Sequence, residues 1–243
     1  MASSCCSFGD NAEQHFNADK VAKELALYRR KGPGPTTRRL RDGLVSAGLR
    51  EGTLLDIGGG LGILSLELLD VGFSRAVVVD ASSAYLAAAF EEATHRRRST
   101  SMEFLHGDFL VVTGKLAPSS VVTLDRVVCC YPSYEPLLER AVRLANTGLG
   151  ISYPRDRWFV RLGIWLENTM RRRKGNPFRA FVHPPSEMMR IIERAGFRLA
   201  SRRRTPAWSS DVFVKSPSFE QVIRNRPTTQ TRDDAAREIQ SEP

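Results

Sequence analysis

Residues 54–69 read LLDIGGGLGILSLELL, a short apolar run joined through a turn of glycines to a second, longer one. The first run is strand length and stops at glycine, so it predicts a buried strand over 53–57. The second, in which only Ser65 and Glu67 are strongly polar between Ile63 and Leu69, predicts a nearly buried helix over 61–71. A strand, a turn without side chains and a helix N-terminus together make a socket for a nucleoside-bearing cofactor, because free backbone N–H groups point at the ligand. Glycines stand at 58, 60 and 62, and the position three after Gly60 is Ile63, so the dinucleotide pattern G-x-G-x-x-G is not met.

Downstream the same alternation continues. Strands are expected over 75–79, 102–105, 121–129 and 149–153, with helices over 82–94 and 134–145 and a weakly helical stretch after the third strand. Strands separated by helices imply a parallel sheet covered on both faces. Residues 155–175, with Trp158, Phe159, Leu162, Trp165 and Met170, read as an inserted helix and a candidate substrate cover. A helix from Pro184 to Ala195 and final strands over 197–205 and 207–215 complete the core.

Upstream, an amphipathic helix is expected over 13–31, ended by Gly32-Pro33-Gly34-Pro35. A second helix, capped by Thr36 or Thr37, leads to Gly48. The expected organisation is a helical lid over 1–52, a core over 53–215 and a tail over 216–243. That tail has four large apolar residues, Phe219, Val222, Ile223 and Ile239, too few to offset ordering entropy, so disorder is expected with a short helix near 219–224.

The 243 residues carry a formal charge of +9, which favours anionic partners. The arginine runs at 96–98, 171–174 and 202–204 lie far apart in sequence and read as solvated helix ends and loops. A small anionic molecule, not nucleic acid, is therefore the expected partner. The opening MASSCCSFGDNAEQHF has no basic start leading into an apolar stretch, and no run of eighteen apolar residues occurs, so a cytoplasmic protein without a membrane span is expected. Cysteines come as adjacent pairs, Cys5-Cys6 and Cys129-Cys130, a spacing unlike metal knuckles, and no metal is expected.

In a parallel sheet, ligands bind beyond the carboxyl ends of the strands, where residues ending successive strands converge. Three ends carry acids. Asp56 lies in the glycine turn, where it can hold the turn or approach a cationic cofactor, while Gly58 and Gly60 permit close backbone approach. Asp80, ending VVVDAS, is placed to accept from two ribose hydroxyls. Asp108, in FLHGDF, can accept from an adenine amino group with Phe109 or Leu110 against the ring. This set turns the reading from a dinucleotide toward S-adenosylmethionine. Asp125 reads as starting the fourth strand, which would face it away from the site.

The stretches DIGGGLG, VVVDAS, GDF and DRVV resemble the motifs of class I S-adenosylmethionine-dependent methyltransferases. That resemblance implies a Rossmann-like, seven-stranded, mostly parallel α/β sheet with an antiparallel last strand and helices on both faces. HFNADKVAKELALYRRKG and FRAFVHPPSEMMRIIERAGF are further similar to magnesium-protoporphyrin O-methyltransferases, in which a lid tyrosine and a histidine after the fourth strand are implicated. Tyr28 matches the first position, and Cys130 stands at the second.

Candidate catalytic residues are Tyr28, Tyr131 after the fourth strand, and His183 before Pro184-Pro185. Arg29, Arg30, Lys31, Arg155 and Arg157 are candidates for attracting an anion. The expected activity is methyl transfer to a small or medium, anionic acceptor, with oxygen favoured. Nitrogen or sulfur acceptors and noncatalytic cofactor binding are the competing readings.

Overall fold

The computed structural model describes residues 5–216; the expected tail and its short helix lie outside them. Seven strands form one sheet: β1 (Thr53–Ile57), β2 (Arg75–Asp80), β3 (Met102–His106), β4 (Ser119–Asp125), β5 (Ala145–Pro154), β6 (Phe197–Arg204) and β7 (Trp208–Lys215). Their order across the sheet is β3-β2-β1-β4-β5-β7-β6. β1 pairs in parallel with both β2 and β4, so the strand order reverses there, and β7 runs antiparallel between β5 and β6.

Side-chain alternation along β1 explains the two-faced core. Leu55 and Ile57 join Val79, Val122, Leu137 and Met188 on one face, whereas Leu54 joins Leu64, Leu66, Val78 and Met102 on the other. The covering helices are α4 (Ile63–Val71), α5 (Ser83–His95), α7 (Tyr134–Leu144) and α9 (Pro185–Arg194), with a single short turn, α6 (Phe109–Val112), after β3. Next to the edge strand β6, the fully buried Asp211 of β7 is held by Arg202, by the Tyr153 hydroxyl at 2.7 Å and by the Ser209 hydroxyl at 2.7 Å. A buried carboxylate survives here because every oxygen has donors.

Four features differ from the sequence expectation. The helix expected over 13–31 is two, α1 (Cys5–His15) and α2 (Ala18–Lys31). Asn17 caps the second by accepting from the Lys20 N–H, and the Phe16 carbonyl between them takes the Ser82 hydroxyl at 2.8 Å. The next helix, α3 (Pro35–Ser46), is capped by Gly34 with Pro35 in its first turn, which leaves Thr36 and Thr37 inside it.

β4 ends at Asp125 and not at Cys129. Arg126 takes φ +62°, its N–H donates to the Ser152 hydroxyl at 2.8 Å, and Val128–Cys130 form a tight helical turn. Finally, the inserted helix α8 (Trp158–Arg173) buries only Val160, and its apolar side chains point outward.

Candidate functional site

A cavity of about 230 Å³ sits over the carboxyl ends of β1, β2 and β4. This is the switch point at which such sheets bind ligands. Its floor is Asp56 and the glycine turn, one wall is Asp80, Ala81 and Tyr85, and another is Asp125, Arg126, Val127 and Tyr131. Phe8, Ala12 and Phe16 with Lys20 and Glu24 of α2 form the cover. α8 contributes none of the lining residues, so the cover is the N-terminal helices and not the insertion.

The glycine turn is built as a cradle. Gly58 sits at φ +61°, its N–H donates to the Val79 carbonyl at 2.7 Å, and a Cβ there would lie 2.5 Å from Val127. Gly60, at φ +55°, donates its N–H to Asp80 Oδ2 at 2.8 Å. Both conformations are ones L side chains rarely adopt.

Asp80 is buried; its Oδ1 accepts from the Ser82 N–H at 2.8 Å and its Oδ2 from Gly60. Each oxygen keeps a lone pair for another donor. Burial raises its pKa to about 6 against the two backbone donors, which lower it. Asp56 is fully buried and touches no backbone donor: Oδ1 accepts from the Thr123 hydroxyl at 2.7 Å and Oδ2 from the Ser65 hydroxyl at 2.8 Å. It ties β1, β4 and α4 together. Burial lifts its pKa to about 7, opposed by those hydroxyls and reinforced by Asp125 and Asp80.

Both carboxyls thus have folded pKa values above their unfolded ones, so their contribution to stability is full below about pH 4 and is lost as pH rises through 6 and 7. Removing the charge at Asp56 should flatten that slope. In thermal unfolding between about pH 5 and 8, the Asp56→Asn variant is expected to lose less stability at the alkaline end than the parent protein. Parallel pH curves for the two would show that Asp56 does not carry the penalty.

Asp108 caps α6: its Oδ1 accepts from the Leu110 N–H at 3.0 Å and from the Tyr131 hydroxyl at 2.7 Å. Its Oδ2 is buried and has no partner among the described residues. An orphaned carboxylate oxygen is costly unless a ligand donates to it. Gly107 and Phe109 on either side of it line the cavity, whereas Asp108 itself is absent from the lining. The Tyr131 ring stacks on Phe8 at 4.0 Å, and burial together with Asp108 pushes its phenol well above the ordinary range.

The other two catalytic candidates lie elsewhere. Tyr28 packs among Val21, Leu25, Leu61 and Tyr85, is absent from the lining, and has a buried hydroxyl without a partner among the described residues. Burial raises its pKa to about 12. His183 is also absent from the lining; its Nε2 shares a hydrogen bond with the Tyr131 carbonyl at 2.9 Å, and burial lowers its pKa. It positions the Tyr131 loop. Cys130 reaches the cavity, with its sulfur and that of buried Cys129 each 3.5 Å from the Arg126 carbonyl. Among the described residues no cluster of His, Cys, Asp and Glu could hold a metal.

Asp125 corrects the sequence reading outright: it ends β4 and lines the cavity. Thr37 of α3 donates to its Oδ2 at 2.6 Å and Ser152 of β5 to its Oδ1. The residue after it, Arg126, was not among the candidate anion contacts. None of those expected residues lines the cavity: Arg29 pairs with Glu91 and Glu92, Arg155 donates to the Thr205 and Pro206 carbonyls, and Arg30, Lys31 and Arg157 are exposed on the surface. Among the described residues the Arg126 guanidinium forms neither ion pair nor hydrogen bond, and its side chain meets solvent through the cavity. Desolvation by the surrounding protein works against its charge, and Asp125 and Glu24 outweigh it. Glu24 in turn accepts from the Tyr85 hydroxyl at 2.6 Å. The one sequence signal for Arg126 was an Asp-Arg pair interrupting an apolar run.

No protein-family model matches the chain. It is 30% identical over 123 residues to the ribosomal protein L11 methyltransferase of Nitrosococcus oceani, a match over 51% of this chain and 37% of that protein. The chain therefore spans little more than a third of that relative's length. Among solved structures it is similar to magnesium protoporphyrin IX methyltransferase from Synechocystis PCC 6803 with bound SAH. There the TM-score is 0.67 at 18% identity over 84% of this chain and 98% of that one. An O-methyltransferase family protein from Burkholderia thailandensis gives 0.67 at 15% identity over 86% and 62%. With this strand order, its antiparallel β7 and the cavity at the β1–β4 switch, the chain has the fold of the class I S-adenosylmethionine-dependent methyltransferases.

Proposed function

We propose that the protein is an S-adenosylmethionine-dependent methyltransferase that methylates an oxygen of a small or medium anionic acceptor, best a carboxylate. The observation that carries this reading is the Arg126 guanidinium, without ion pair or hydrogen bond among the described residues, in the same cavity as the glycine turn and Asp80. The residues present fit the cofactor: a glycine cradle at Gly58 and Gly60, Asp80 with free lone pairs toward ribose hydroxyls, and Phe109 to lie against the adenine ring, with Asp108 behind the lining, one residue before it.

When bound, that cofactor supplies an electrophilic methyl group on a sulfonium. The chain supplies placement. Arg126, five donors in a rigid fork, can hold a carboxylate in a fixed orientation, and Lys20, whose Nζ lies 2.9 Å from His15 Nε2, adds a second positive group to the lining. A carboxylate is ionised at neutral pH and needs no base, which agrees with a site that presents no free histidine. Phe8, Phe16, Tyr85 and Tyr131 exclude water, and alignment of this kind contributes roughly 7–11 kcal/mol to a bimolecular step.

The test is turnover with isotopically labelled methyl donor and a panel of mono- and dicarboxylates, phenols, amines and thiols. Label released by mild base, as from a methyl ester, is the expected result. Label found only on amines or thiols would overturn the oxygen assignment, and the absence of calorimetric heat with either the donor or S-adenosylhomocysteine would overturn the whole reading.

A further inference from the structure

The inserted helix α8 is turned inside out. At 100° per residue, Trp158, Phe159, Leu162, Trp165, Leu166 and Met170 fall within an arc of about 140° on one face. All six are exposed, Trp158 to 77% and Trp165 to 61%. The opposite face is the one that meets the protein. There Val160 is buried, Asn168 exchanges hydrogen bonds with the backbone of Ala180 at 2.8 and 3.0 Å, and Arg171 lies over the Phe178 ring. A surface helix ordinarily sends its apolar stripe into the core, and an exposed patch of this kind marks an interaction surface.

Charge decides what covers it. Arg157 precedes the helix, Arg161 and Arg172 flank the apolar arc, and Arg173 and Lys174 follow its end. The acids nearby are already paired, Asp156 with Arg161 and Glu167 with Arg171. That leaves Arg157, Arg172, Arg173 and Lys174 without an acid partner among the described residues, and a second copy docked face to face would bring these like charges together, which repulsion opposes. An anionic bilayer surface satisfies both halves of the pattern: the indoles and aliphatic chains enter the headgroup boundary, and the arginines meet lipid phosphates and carboxylates. No helix among the described residues is long and apolar enough to cross a membrane, so α8 would lie along it.

We propose that α8 is a peripheral membrane anchor that seats the protein on anionic lipid through Trp158 and Trp165. The geometry also sets the cavity's cover beside that surface, because Phe178, under Arg171, stacks on His15 of α1 at 4.4 Å. The inference stands independently of the catalytic reading.

The test is co-sedimentation of the full chain with vesicles of phosphatidylcholine alone and with about one third phosphatidylserine. Binding to the anionic vesicles with a blue shift of tryptophan emission is expected. The paired Trp158→Ser and Trp165→Ser substitutions, both at exposed positions that should leave circular dichroism unchanged, should weaken binding by about ten-fold or more. Arg172→Glu with Arg173→Glu should remove the preference for anionic lipid. Three results would overturn the proposal: no binding to either composition, binding indifferent to the tryptophan pair, or a concentration-dependent dimer that the same pair abolishes while vesicles are ignored.

Discussion

Replacing Asp80 by alanine should weaken binding of the methyl donor by about 1.5–3 kcal/mol, the range for hydrogen bonds to a charged group. That is roughly ten-fold to more than a hundred-fold in Kd. Asp80 also accepts the Gly60 and Ser82 N–H groups, so the same substitution loosens the glycine turn. Asp80→Asn separates the two roles, since it keeps one acceptor oxygen for the turn but loses the charge. Because burial raises the Asp80 pKa to about 6, the ionised acceptor is complete above that value and disappears below it. Calorimetric affinity for S-adenosylhomocysteine is therefore expected to fall about ten-fold from pH 7.5 to pH 5, and Asp80→Asn should be flat over that range. A folded Asp80→Ala protein with unchanged affinity would refute the ribose assignment.

Arg126→Ala carries the other large expected effect. Losing a charge-assisted hydrogen bond from a guanidinium that meets solvent costs about 1.5–3 kcal/mol, so kcat/KM for an anionic acceptor should drop roughly ten-fold to a hundred-fold. Donor affinity should stay at the parent value. Alanine retains a Cβ at φ +62°, so the backbone strain at this position is the same in both proteins and does not confound the comparison. Arg126→Lys should recover part of the loss, as a point charge without the planar fork. Equal kcat/KM for Arg126→Ala and the parent protein would remove Arg126 from the acceptor site.

Much of the scaffold was legible along the chain. The stretch 53–57 is bounded by Gly52 and Gly58 and has the length of a strand and no more, and β1 has those same limits. Asp80 closes an apolar run of β-branched residues and ends β2. Where the expectation failed, contacts remote in sequence were responsible. VVTLDRVVCC looks like one continuous strand, yet Thr37, 88 residues before Asp125, and Ser152, 27 after it, hold Asp125 and so end the strand there. Local pattern has no access to such bonds, so the expected strand over 121–129 runs past Asp125 and puts that carboxylate at the wrong end. The expected helix over 13–31 failed for the same reason, since the Ser82 hydroxyl claims the Phe16 carbonyl.

Periodicity in α8 identifies an apolar face without saying whether that face meets protein or solvent; here the polar bonds of Asn168 to Ala180 choose the opposite side. Tyr28 illustrates the same limit, because an apolar helical stripe places it on α2's buried side but only packing shows that it abuts Leu61 and Tyr85 and not the cavity, which Lys20 and Glu24 enter instead. Alternation of short apolar runs with helical ones, punctuated by glycine, determined by itself the sheet, its crossover helices and the cofactor turn, since those depend on backbone propensity and on burial of neighbours in sequence. Which charged groups face the cavity, where β4 stops and which way α8 turns were decided only by tertiary structure, because each depends on hydrogen-bond partners that folding brings from distant parts of the chain.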